Sequence, residues 1–86
     1  MAVRLTAEEH GADVVIRREK SRDHYRIYPI SDAALRWLKA RSPHARWGRL
    51  SGQEAMEASR DDLPGLVADI RSNDFQVRGQ LPVPVA

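Results

Sequence analysis

The chain has no cysteine among its 86 residues. Disulfides therefore cannot reinforce the fold, and no thiolate is on hand as nucleophile or metal ligand. A chain this short buries only roughly 60% of its unfolded surface, so its core is small. Self-association would be one way to enlarge that core, and a homodimer stays open. Aromatic side chains are few: two tryptophans, two tyrosines and one phenylalanine. No apolar run approaches the ~20 residues that cross a bilayer. The first residues carry no apolar stretch of the secretory type. The expectation is a single cytoplasmic domain that does not enter a membrane.

Lysine is also scarce. Lys20 and Lys39 stand beside twelve arginines, although the formal net charge is only +2. The placement of charge says more than its total. Residues 17–49 hold ten basic side chains against Glu19, Asp23 and Asp32, a local balance of +7. Residues 50–76 hold six acidic side chains against Arg60 and Arg71, a balance of −4. A chain so divided offers one basic surface to an acidic partner, either nucleic acid or a carboxylate-rich protein face.

Residues 1–12 are weakly patterned, with Glu8-Glu9-His10-Gly11 interrupting any regular element. They read as a mobile N-terminal arm ahead of a domain over 13–78. Asp13-Val14-Val15-Ile16-Arg17-Arg18 is β-branched and reads as a strand. After a charged connection, His24-Tyr25-Arg26-Ile27-Tyr28 alternates, with Tyr25 and Ile27 assigned inward. Together the two form an antiparallel hairpin that Pro29 ends for want of an N–H.

Ser31 then has the character of an N-cap, with Asp32 near the positive end of the helix dipole. Ala34, Leu35 and Leu38 form the buried stripe of the first helix, flanked by Trp37, and Ser42-Pro43 stops it. His44 to Arg49 reads as a loop. Residues 53–58 leave strand and helix both open, because Glu54-Ala55-Met56-Glu57-Ala58 has helical propensity while Ser51-Gly52 and the short length permit a strand. Leu63, Leu66, Val67 and Ile70 at i, i+3, i+4 and i+7 define a second helix with Pro64 in its first turn. Its cap is assigned to Asp61, or to Ser59 with a looser turn. Phe75-Gln76-Val77 reads as a last short strand, and 79–86 as an extended proline-containing tail.

Chemistry-bearing residues are dispersed. His10, His24 and His44 fall in an arm, a strand and a loop, without metal-ligand spacing. Asp61-Asp62 sits at a helix start, where carboxylates act as caps rather than acid–base pairs. No serine lies in a nucleophile motif, and no glycine-rich phosphate loop is present. The expectation is a protein that is not an enzyme, with no cofactor and no metal.

The basic stretch is more suggestive. Arg17, Arg18 and Arg22 cluster about the hairpin tip, and Arg46-Trp47-Gly48-Arg49 sets an indole between two guanidinium groups. Arginine forks suit carboxylates and phosphates, and an exposed tryptophan can stack on a base or fill a partner's pocket. The competing reading turns Trp47 inward to enlarge the core, as expected for Trp37. These six residues, Arg17, Arg18, Arg22, Arg46, Trp47 and Arg49, are the candidate partner-binding set.

Residues 24–75 carry a strand, then Pro-x-Ser/Thr-x-x-Ala-x-x-Trp-Leu/Ile as Pro29, Ser31, Ala34, Trp37 and Leu38. A Trp47-Gly48 pair, Glu57, and Asp62-Leu63 with Leu66 follow. In this the chain resembles a group of small uncharacterised phage and prophage proteins, although Ser59-Arg60 replaces the aromatic usual before the last helix. The resemblance implies a strand at 53–58. The expected order is then β-β-α-β-α-β: an α+β fold with a three- to four-stranded, mainly antiparallel sheet and two helices on one face. It implies no reaction. It implies a mobile-element accessory protein that binds and blocks a host protein or ribonucleoprotein complex, with an anti-CRISPR inhibitor as one such form. A small nucleic-acid-binding protein and a dimeric assembly factor are the alternatives.

Overall fold

The computed structural model describes residues 5, 7, 9–18, 24–50 and 52–80, with the side chain of residue 50 excepted. Five strands and two helices follow the order β1 (Val14–Arg18), β2 (His24–Pro29), α1 (Asp32–Arg41), β3 (Trp47–Leu50), β4 (Gln53–Ser59), α2 (Leu63–Ser72) and β5 (Val77–Gly79). The strands form one sheet in the spatial order β3-β4-β2-β1-β5. The fold is α+β, as the sequence implies, but the sheet is larger than expected and mixed. β1 runs antiparallel to β2 and parallel to β5, whereas β4 runs antiparallel to both β2 and β3.

Two differences from the expected order have physical causes. The stretch expected as a loop over 44–49 runs into β3, because Leu50 pairs with Gln53 only three positions on. Gly52 supplies the positive φ (78°) that such a tight connection uses. The last strand lies two residues later than expected. Asp74 takes φ 65° to leave α2, and Phe75 turns onto Trp37 with ring centroids 5.8 Å apart. Val77 is then the first residue in register with β1, opposite Val14. Gly79, expected to open the tail, belongs to β5, and the amide of Gln80 still donates to the Ile16 carbonyl. The rest of the expected tail, 81–86, lies outside the described residues.

Local chemistry accounts for the helices. The Ser31 hydroxyl accepts from the Ala34 amide at 3.2 Å, the expected N-cap of α1. In α2 the capping residue is Asp62, whose side chain makes no cap bond; Ser59 Oγ accepts the Asp62 amide one step earlier. Pro64 occupies the first turn without losing a helical hydrogen bond.

Both helices cover one face of the sheet. Val14, Ile16, Tyr25, Ile27, Met56, Ala58 and Val77 meet Ala34 and Leu38 of α1 and Leu63, Leu66, Val67 and Ile70 of α2. A second, smaller cluster of Ala12, Val15, Tyr28 and Ala55 forms on the opposite face, with Leu5 and Ile30 packed against it. The continuous Val14-Val15-Ile16 run is therefore buried on both sides, which explains why it does not alternate. Of the segment expected as an arm, Glu9 is buried, and Arg17 donates to its carboxylate through both terminal guanidinium nitrogens, Nη2 at 2.6 Å from Oε1.

Candidate partner-binding surface

The six candidate residues do not form one surface. Arg17 is committed to Glu9, and its guanidinium charge is reinforced by that hydrogen bond despite partial burial. Arg18 is exposed at the end of β1, where its amide donates to the Gln80 side chain. Arg22 lies outside the described residues, together with the rest of the hairpin tip. Arg46, Trp47 and Arg49 do come together, at the start of β3 and along it.

Trp47 is half-buried. Its indole N–H donates to the Ser42 carbonyl at 2.9 Å, and Lys39 Nζ lies 4.6 Å from the ring centroid. The ring packs against the main core. The indole is thus part of the framework joining the end of α1 to β3, and its polar group is already used.

The arginines beside it differ. The Arg46 side chain is 85% exposed and only 3.6 Å from Glu57 at its nearest approach. Arg49 is exposed and reaches back to the Gly52 carbonyl. With Arg26 of β2 they border a groove of about 260 Å³ whose floor includes Gly48 and Ala55. The groove lies on the β3–β4 side of the sheet. Small residues make it: a Cβ at Gly48 would meet nothing within 4 Å.

Sequence reasoning missed Arg26 and Lys39 as members of this corner. Their spacing from Arg46 carries no signal, because strand pairing and the α1–sheet contact assemble them. Lys39 Nζ bonds Glu54 Oε1 at 2.6 Å, and this bond holds the Glu54 carboxyl below its ordinary range, with the Lys39 and Arg49 charges acting in the same direction.

These contacts also revise the charge division read along the chain. Glu54, Glu57 and Asp69 of the acidic half pair with Lys39, Arg46 and Arg41 of the basic half. The halves therefore interleave. Among the described residues at the β3–β4 corner, Lys39, Arg46 and Arg49 face the carboxylates of Glu54 and Glu57, so the corner stays basic after pairing.

A larger hollow of about 600 Å³ opens between the end of α1 and the start of α2, bordered by Arg41, His44, Ser59, Asp61 and Asp62. Among the described residues no group of histidine or acidic side chains is placed to hold a metal ion. No helix among them is long and apolar enough to cross a membrane. The apolar stripe of α2 is buried inside the chain. Set against family models, curated proteins and solved structures, the chain matches none.

Proposed function

We propose that the chain is a non-enzymatic binding protein whose basic β3–β4 corner docks on an acidic face of a host protein or ribonucleoprotein complex. The observation that carries this reading is the charge left there once internal pairs are made. Arg46 is nearly fully exposed, and Arg49 lies beside it on an open edge. Exposed arginines at an open sheet edge, with Arg46 beside a groove that has small residues on its floor, suit planar, bidentate recognition of carboxylates. The resemblance of residues 24–75 to phage and prophage proteins supports a mobile-element accessory role, with inhibition of a host complex, such as an anti-CRISPR activity, as its specific form.

Nucleic acid is the competing partner, and salt separates the two. A phosphate-bound complex weakens steeply with salt, and Arg46→Ala lowers the salt slope by about one. The decisive experiment is an affinity pull-down from the source cells with wild type and Arg46→Glu, each with and without nuclease. A discrete complex held by wild type, kept after nuclease and lost with Arg46→Glu, supports the proposal. A complex that Arg46→Glu also captures overturns this surface. Capture abolished by nuclease assigns the surface to nucleic acid.

A further inference from the structure

We propose that β3 receives an extended acidic segment of the partner as an added β-strand. This inference deepens the proposed function and rests on its acidic partner. The main-chain pattern of β3 leads to it. The Glu57 amide donates to the Arg46 carbonyl at 3.0 Å, which makes these two a hydrogen-bonded pair. In an antiparallel ladder bonded and non-bonded pairs alternate. Gly48–Ala55 and Leu50–Gln53 are then the next bonded pairs, while Trp47–Met56 and Arg49–Glu54 are non-bonded ones. The N–H and C=O groups of Trp47 and Arg49 accordingly point away from β4, toward the outer edge. Among the described residues no strand lies beyond β3. Two donors and two acceptors, alternating along four residues, are the groups that strand addition uses.

The surrounding charges select the occupant. Arg46 flanks the edge on the face away from the helices, and Arg49 lies opposite Glu54 on the helix side with Lys39. An incoming strand projects alternate side chains to both faces, so carboxylates on either face meet a cation. Gly48 leaves the groove beside the edge open to those side chains. A second copy of this chain suits the edge less well, because its own β3, Trp47-Gly48-Arg49-Leu50, brings no carboxylate to these cations. Phosphates satisfy the arginines but offer no peptide groups to the ladder.

Amide hydrogen exchange read by NMR tests this on the whole chain. The probe is a ten-residue peptide alternating glutamate and threonine. Its lysine–threonine counterpart and a ten-nucleotide thymidine strand serve as comparisons. At saturating acidic peptide, the Trp47 and Arg49 amides should exchange at least about tenfold more slowly, the effect of one amide hydrogen bond at the upper end of its range. The comparison ligands should leave them unchanged. Binding of the acidic peptide without protection at Trp47 and Arg49 overturns strand addition and leaves the basic docking surface standing. No binding of the acidic peptide overturns both. Equal protection by the lysine peptide overturns the charge argument.

A pair of variants separates the backbone from the charge. Arg49→Ala removes the guanidinium and keeps the outward N–H, whereas Arg49→Pro removes both without taking a bond from the β3–β4 ladder. Arg49→Pro should bind the acidic peptide about fivefold more weakly than Arg49→Ala. Equal affinities would refute the strand. Should Arg49→Pro lose its fold by circular dichroism, the wild-type exchange measurement decides.

Discussion

The indole Nε1 of Trp47 donates to the main-chain carbonyl of Ser42 at 2.9 Å. Ser42 is the C-cap of α1 and Trp47 is the first residue of β3, so one bond sets where the edge strand starts relative to the helix. Trp47→Phe keeps a ring on the core and drops the N–H. The expected cost is about 1 kcal/mol in denaturant unfolding. Trp47→Ala also removes a half-buried ring and should cost about 2–3 kcal/mol, less than a fully buried tryptophan. If Trp47→Phe instead matched wild type in stability and lost partner binding, the indole would belong to the interface.

The Glu9–Arg17 pair should respond unequally to removal of its two members. The Glu9 side chain is 4% exposed and that of Arg17 is 25% exposed. Arg17→Ala leaves a buried carboxylate without its guanidinium, at an expected cost of about 3 kcal/mol. Glu9→Gln leaves an arginine that can turn to water and should cost about 1 kcal/mol. Urea midpoints of the two variants check the order, and equal losses would contradict it.

Acid should weaken the Lys39–Glu54 link within a defined window. The Lys39 hydrogen bond lowers the Glu54 pKa in the folded chain. A lowered folded value means that the stabilisation is complete above the unfolded pKa. It is lost as pH falls through the folded one. The melting-temperature gap between wild type and Glu54→Gln should therefore be present near neutral pH and shrink as acid protonates Glu54 in the folded chain. Because both side chains are partly exposed, added salt should narrow the gap at neutral pH. A gap that widened on acidification would reverse the assigned sign.

Two glycines should give opposite results on substitution by alanine. A Cβ at Gly79 would lie 2.2 Å from the Ile16 carbonyl oxygen, and φ there is 117°. Gly79→Ala should cost about 2–3 kcal/mol and loosen β5 from β1. Gly65 lies within α2, where a Cβ meets nothing within 4 Å. Gly65→Ala should stabilise by about 0.5–1 kcal/mol through helix propensity. Thermal melts of both variants suffice as the check.

Several elements were legible because their causes are local. Pro29 and Ser31 mark the β2–α1 joint within three residues, and the cap bond from Ala34 to Ser31 follows from that spacing. The α2 stripe of Leu63, Leu66, Val67 and Ile70 is buried as its periodicity implies. β3 was not legible, because Trp47-Gly48-Arg49-Leu50 shows no clear apolar alternation and includes a glycine. The Ser51-Gly52 pair was its available signal in the sequence. The alternation that turns Tyr25 and Ile27 inward puts Tyr28 on the opposite face, where it lies. Its burial depends on Ala12, Val15 and Ala55, which arrive from other elements.

The sequence by itself determined the α+β class, the boundaries of α1, the apolar stripe and end of α2, the β1–β2 hairpin and the inward faces of Tyr25 and Ile27. Caps, proline and side-chain period act over a few residues, and no distant partner is needed to express them. Only the tertiary structure decided the number of strands, the parallel β1–β5 pairing and the second apolar cluster. It also decided which charges remain for a partner. Lys39 and Glu54 are 15 residues apart, and Arg41 and Asp69 are 28 apart. Coulomb attraction depends on distance in space, and the sheet order sets that distance.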